Sequence, residues 1–376
     1  MTEVAFHKPW IDAAEHSRVS QALAGRLSGD GPFCRRVESR LAEQLGVPRV
    51  LLTTSCTHAM ELALLALGIG PGDEVVCPSF TFVSTANAVL RVGARPVFAD
   101  IDPLTLGLSA EDTERRLGPR ARAVMPVHYA GLAADMDGLL ALARDKGARI
   151  IEDAAHGLAG SWRGQPLGTL GDAGCFSFHE TKNITCGEGG AVTFRDPELA
   201  KKAEIIREKG TNRSAFFRGE VDRYTWVAEG SSYILADPLA ALLDAQLDRL
   251  DEIQKQRRRI YGRYLEGLSG WATPRGIQLP RARPEQGPSF HIFYVLYPDE
   301  SQRDHALAAL KSSGIQASFH YVPLHLSPHG RAFATGAALP VTVSVASRLV
   351  RLPLHPLLSD ADVERVIEAV RGTSSS

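Results

Sequence analysis

Through its first half the chain alternates short apolar runs with stretches of helical periodicity. Residues 50–52, 74–78, 95–100, 123–128 and 149–153 read as strands, and 58–67, 84–92 and 136–146 read as helices between them. Strand, helix, strand in repetition is the pattern of a largely parallel sheet covered by helices on both faces, an α/β architecture. Chemistry in such sheets gathers beyond the carboxyl ends of the strands. Phe82, His128, Asp153, Ser177 and Lys182 all stand at or just past such ends. At 376 residues the chain is long enough for two units. Residues 1–248 are expected to form a large domain and 249–376 a smaller α+β domain, joined through one long helical stretch over 237–268. In the smaller unit 290–297 reads as a strand and 304–313 as a helix. Near the start, 12–46 reads as two helices broken by the Gly/Pro-rich turn at 28–32.

One stretch stands out chemically. The apolar run Cys175 to Phe178 stops at His179–Glu180–Thr181–Lys182–Asn183. A glycine-rich turn and a second apolar run, Ala191 to Phe194, follow. This reads as strand, tight loop, strand, with Lys182 in the loop. A lysine on a hairpin is most often simply exposed, but one held in a core at a strand end has its proton affinity lowered by burial and becomes a nucleophile and Schiff-base former. Two other stretches favour the second reading. Residues 149–153 end an apolar run on the carboxylate of Asp153, with His156 just beyond. Residues 53–57 place Thr and Ser hydroxyls, with Cys56 and Thr57, at a helix start. Such a start satisfies its own amides by capping and also favours a phosphate. A lysine, a carboxylate and a phosphate-binding helix start are the parts of a pyridoxal-phosphate site.

At these residues the chain resembles the DegT/StrS family of sugar aminotransferases, over about residues 15–370. The words that carry the resemblance include PSFTFVSTANA (78–88), PVHYAG (126–131), SFHETKN (177–183), AEIIREKGTNRS (203–214), FHYVPLH (319–325) and RLPL (351–354). The resemblance implies the aspartate-aminotransferase fold, fold type I, with a mostly parallel seven-stranded sheet. It implies pyridoxal 5'-phosphate as cofactor, Lys182 as its Schiff-base lysine and Asp153 on the pyridine nitrogen. Cys56, Thr57 and Ser177 would hold the phosphate, Phe82 would stack on the ring, and His156 would contact the ring hydroxyl or the aspartate. Ser232 would reach the phosphate from the neighbouring subunit, so a homodimer with shared sites is expected, with 209–230 lining the neighbour's site. Gly29, Asp30, His179, Tyr321 and His325 would approach the sugar. The nearest branch implies dTDP-4-keto-6-deoxyglucose as acceptor, L-glutamate as amino donor and a dTDP-4-amino-4,6-dideoxyhexose as product, galacto before gluco. Other acceptors in the family are 3-keto or UDP-linked sugars, and some members are proposed regulators without activity.

Several classes are excluded or disfavoured. Formal net charge is −1, without the basic surface that nucleic-acid binding needs. The basic run at 255–259 falls on a long helix and reads as a solvated face. Five cysteines show no CxxC pair or metal spacing, which points to a reduced, cytoplasmic protein. No signal-peptide pattern opens the chain, and no apolar run is long enough to span a bilayer. The three histidines in 320–329 sit among prolines without the i, i+4 spacing of a helical zinc site, so no metal is expected. A nicotinamide enzyme needs a GxGxxG after the first strand, and none is there. A dehydratase of the same family has histidine in place of the Schiff-base lysine, whereas this chain has Lys182.

Overall fold

In the computed structural model the residues described are 3–373, apart from 335 and 337. Seven strands form the main sheet: β1 (Arg49–Thr53), β2 (Glu74–Pro78), β3 (Arg95–Ala99), β4 (Ala121–Val124), β5 (Arg149–Asp153), β8 (Ala173–Ser177) and β9 (Gly190–Phe194). Their spatial order is β1-β9-β8-β5-β4-β2-β3. β9 runs antiparallel to both its neighbours, and the other six strands share one direction. The alternation of side chains explains why both faces are covered. Leu51, Cys175, Val192 and Phe194 belong to one apolar cluster, and Val50, Leu52, Phe176 and Ala191 belong to another on the opposite face. The chain thus has fold type I.

Two short strands, β6 (Ser161–Trp162) and β7 (Gln165–Pro166), pair with β10 (Gln286–Gly287) in a small side sheet. In the C-terminal part β11 (Phe293–Leu296) pairs antiparallel with β12 (Leu349–Leu352). Helices Leu250–Ala272, Glu300–Ser312 and Asp360–Gly372 pack on this two-stranded sheet around Tyr264, Phe293, Leu310, Val350 and Val366. Val4 enters the same cluster through a parallel bridge to Ile315, so the start of the chain packs with its end.

Two elements differ from the sequence expectation. The fourth strand stops at Val124 and not at 128, because Pro126 interrupts the ladder and only Val127 returns to it, in a single bridge to Asp153. The stretch 237–268 is two helices, Asp237–Asp248 and Leu250–Ala272, which meet at Arg249. Arg249 leaves helical geometry there and is held from outside, by Asp12 at 2.6 Å and by the face of Trp10. We propose that the border between the two domains falls at this break, at 248/249.

The helix Cys56–Ala66 matters most for the site. Eight of its 11 residues are buried, and it runs under β8 and β9. Its first turn is pressed against Gly190, where a Cβ would lie 2.4 Å from the Ser55 carbonyl carbon. Only glycine at this strand start lets the helix N-terminus come so close.

Candidate active site

The carboxyl ends of the central strands and the N-terminus of helix Cys56–Ala66 open onto one cavity of about 650 Å³. Cys56, Thr57, Phe82, Asp153, His156, Ser177, His179, Lys182 and Tyr321 all line it. Lys182 follows β8 in a tight loop, its backbone N–H donating to the His179 carbonyl at 2.9 Å. Its side chain touches the cavity yet lies deep enough for burial to push the ammonium down to about 8. The positive charge of Arg351 adds to that push, while Cys56 and Asp153 oppose it.

Asp153 ends β5 and is buried. Its Oδ2 accepts from Thr85 Oγ1 at 2.8 Å and its Oδ1 from the Ala155 N–H at 3.2 Å. Thr85 has one proton, given to Asp153, so the 2.8 Å contact between Thr81 and Thr85 has Thr81 as donor. Burial raises the carboxyl's proton affinity, and these two donors together with Lys182 oppose the rise. His156 stacks on His291 with ring centroids 4.3 Å apart, and burial holds both imidazoles neutral, well below their usual range. His156 Nδ1 is sealed from solvent without a hydrogen-bond partner.

At the helix start Ser55 Oγ accepts from the His58 N–H, and Thr57 Oγ1 donates to Ser84 Oγ at 2.8 Å. Helix-start amides, the helix dipole and the hydroxyls of Thr57, Ser84 and Ser177 on the cavity wall are an arrangement that suits an anion. The Cys56 thiol is pushed far up by burial and packs as an apolar group.

Five other expected site residues lie outside this lining. Gly29 is packed on Ile234, and Asp30, at φ 58°, accepts from Arg207 Nη2 at 2.8 Å. His325 is buried, its backbone N–H donating to Ser79 Oγ at 3.0 Å and its Nδ1 2.6 Å from the same hydroxyl. Ser232 is exposed, at the end of an exposed run over 217–232 that carries Phe217, Tyr224 and Trp226. His128, which the strand-end argument includes, faces the core. Its Nδ1 accepts from the Ala134 N–H at 3.2 Å, so its Nε2–H donates to Glu152 at 2.9 Å.

A model of the DegT/DnrJ/EryC1/StrS aminotransferase family matches residues 9–371. The chain belongs to this family. It is 38% identical over 374 residues to the spore coat polysaccharide biosynthesis protein SpsC of Bacillus subtilis, covering 96% of this chain and 95% of SpsC. Among solved structures it is similar to the aminotransferase TlmJ from Streptoalloteichus hindustanus, with 37% identity, a TM-score of 0.91 and 99% and 98% of the two chains covered. It is also similar to the PLP-form of Spr1654 from Streptococcus pneumoniae, a putative sugar aminotransferase by its description. There the identity is 27% and the TM-score 0.92, over 99% of this chain and 98% of that one.

The cavity wall of this aminotransferase also holds residues that sequence reasoning missed. Thr81, Thr85, Ser84, Arg257, His291, His320 and Arg351 all line the cavity. The signal for Thr85 was present, since a threonine in the first turn after Phe82 points back to the strand ends. The signal for His291 and Arg351 was not, because they arrive from the C-terminal part by tertiary packing alone. Thr85→Val keeps the volume and removes one donor to Asp153. It is expected to leave the fold intact and lower kcat/KM about 10-fold, the effect of one hydrogen bond to a charged group. Steady-state kinetics beside thermal melting checks this.

Proposed function

We propose that this chain is a pyridoxal-phosphate-dependent aminotransferase that aminates a nucleotide-linked keto-sugar. The observation that carries the reading is the amine of Lys182, depressed to about 8 in the same cavity as the buried Asp153 carboxylate. The residues present fit the cofactor. Asp153 is a buried carboxylate whose hydrogen-bond donors are a hydroxyl and an amide, and it suits a protonated ring nitrogen. Cys56, Thr57, Ser84 and Ser177 surround the helix start that suits a phosphate, with Ser232 of a second copy completing it. The unpartnered Nδ1 of His156 suits the ring hydroxyl, and Phe82 offers an exposed flat face.

When bound, the cofactor supplies a sink for the electrons left behind when the donor's Cα loses its proton. Lys182 Nζ takes that proton and returns it on the other side of the exchange, and an amine with a value near neutrality does both. Asp153 keeps its proton partner charged, Thr85 and Thr81 hold Asp153 in place, and the closed wall of His156 and His291 excludes water.

The acceptor in this reading is dTDP-4-keto-6-deoxyglucose, with L-glutamate as donor and a 4-amino-4,6-dideoxyhexose as product, galacto before gluco. His179 and Tyr321 on the cavity wall support a sugar there. The printed descriptions of SpsC and Spr1654 support a sugar substrate for relatives of this chain. The exposed aromatic run ending at Ser232 supports a homodimer with shared sites, since such a patch normally meets a partner. Five free buried thiols support a cytoplasmic setting. The test is incubation with dTDP-4-keto-6-deoxyglucose, pyridoxal phosphate and glutamate, with proton NMR of the product. A 4-amino sugar is expected, and the H3–H4 coupling decides galacto against gluco. Absence of any aminated sugar nucleotide rejects this acceptor.

Burial of Lys182 also makes a pH prediction. A lysine is nucleophilic only when neutral, so the rate at which cofactor-free protein captures pyridoxal phosphate rises with pH and levels off above about 8. An ordinary lysine would keep gaining to about 10.4. Stopped-flow absorbance between pH 6 and 10, a range of about four units around that value, separates the two.

A further inference from the structure

His291 lies two residues before β11 and lines the cavity. Its stretch of backbone is held from several sides. Ser289 N–H donates to the Gly131 carbonyl at 3.0 Å, Ser289 Oγ to the His156 carbonyl at 2.6 Å, and Ile292 N–H to the Ala130 carbonyl at 3.3 Å. Arg257 donates to the carbonyls of Phe290 at 3.0 Å and His291 at 2.6 Å. With its ring stacked on His156, His291 is fixed in place.

Asn183, next to Lys182 in the same loop, is buried and settles where the ring proton sits. Its Nδ2 donates to the Ser289 carbonyl at 2.7 Å, so its Oδ1 is the end that meets His291 Nδ1 at 2.8 Å. An amide oxygen only accepts, and Nδ1 therefore carries the hydrogen. Burial holds the ring neutral, and the charges of His156, Lys182, Arg257 and Arg351 act in the same direction. A neutral imidazole with its hydrogen on Nδ1 has a lone pair on Nε2. That nitrogen has no partner among the described residues and is not sealed from solvent, so it opens on the cavity.

A nitrogen that can only accept repels a carboxylate and receives an O–H. Of the two substrates in the reading above, the amino donor exchanges its amine and has only carboxylates left to meet the wall. The sugar brings hydroxyls. The structure assigns His291 Nε2 as the acceptor for a hydroxyl of the keto-sugar, and Asn183 as the positioning residue that keeps the ring in the accepting tautomer. This rests on the aminotransferase reading above and adds to it a residue that tells the sugar from the amino donor. A site built around one such hydrogen bond disfavours a ligand that cannot make it, because the buried partner is then left unpaired.

The test compares the two half-reactions in single turnover on the full-length protein, loaded with pyridoxal phosphate for glutamate and with pyridoxamine phosphate for dTDP-4-keto-6-deoxyglucose. His291→Phe keeps a flat ring against His156 and lacks the lone pair. It is expected to lower kcat/KM for the sugar about 10-fold more than kcat/KM for glutamate. His291→Gln, whose amide oxygen reaches close to where Nε2 stands, recovers part of that difference. Asn183→Leu, similar in size, releases the ring proton and gives the same selective loss, with circular dichroism melting to confirm the fold. His291→Phe and His291→Gln decide the matter even where Asn183→Leu melts early. A loss shared equally by both half-reactions in His291→Phe, or no loss, overturns the proposal. A folded Asn183→Leu with the wild-type ratio overturns the positioning role. A wild type that aminates no sugar rejects the acceptor and this inference together, whereas amination with an equal loss rejects the inference alone.

Discussion

Lys182→Ala is expected to lower turnover by about 10⁴-fold or more, because it removes both the amine that captures the cofactor and the group that moves the Cα proton. Among the described residues no other lysine lines the cavity, so none of them replaces it. The loop around Lys182 does not depend on its side chain. It is held by backbone bonds, Lys182 N–H to His179 O, Glu180 N–H to Gly187 O and Cys186 N–H to Phe178 O. Burial disfavours the ammonium, so its removal does not destabilise the fold, and the variant should melt at or above the wild-type temperature. Activity near wild type would show that the proton is moved elsewhere. Loss of activity together with unfolding would show that Lys182 is structural. Circular dichroism melting beside the kinetic assay separates these results.

The second large effect is on stability and comes from a residue one position away from Asp153. Glu152 is fully buried, and its two oxygens accept four hydrogen bonds: from His128 Nε2, Gly168 N–H, Leu170 N–H and Gly171 N–H, at 2.9, 2.8, 2.7 and 2.8 Å. Glu152→Gln keeps the shape but turns one acceptor into a donor facing donors. His128 cannot adapt by changing tautomer, since its Nδ1 already accepts from the Ala134 N–H. At least two buried donors lose their partner, and unfolding is expected to become easier by about 3 kcal/mol or more. The Gly168–Gly171 turn packs directly beneath β8, where Gly168 meets Phe176 and Gly174, so the Lys182 loop should loosen too. A fall in the urea midpoint checks this, and an unchanged midpoint would mean the network is not what fixes the turn.

These two residues show how far the sequence could be read. Asp153 was legible because it ends a short apolar run and Lys182 because it stands in the loop just past one, and strand ends are where such sheets place chemistry. Phe82 and Ser177 were legible for the same reason, Cys56 and Thr57 as part of a helix start that suits a phosphate, and all four line the cavity. Glu152 was not, since a carboxylate inside an apolar run gives no sign of the amides that receive it from residues 168–171. The break at Arg249 was invisible to periodicity, because its cause lies about 237 residues earlier, at Asp12 and Trp10. The early end of β4 was marked in the sequence by Pro126, which an apolar count passes over. Arg257 looked like a surface charge within the basic run 255–259, and Arg351 stood only in the word RLPL; packing alone places both at the cavity wall.

The central claim is that Lys182 holds the cofactor. The direct measurement is to incubate the full-length protein with pyridoxal phosphate, reduce it with borohydride, digest it and locate the reduced pyridoxyl group by peptide mass spectrometry. The account predicts that group on the peptide containing Lys182, at that lysine and with near-complete occupancy. A label on other lysines with Lys182 unmodified, or no label at all, would contradict it.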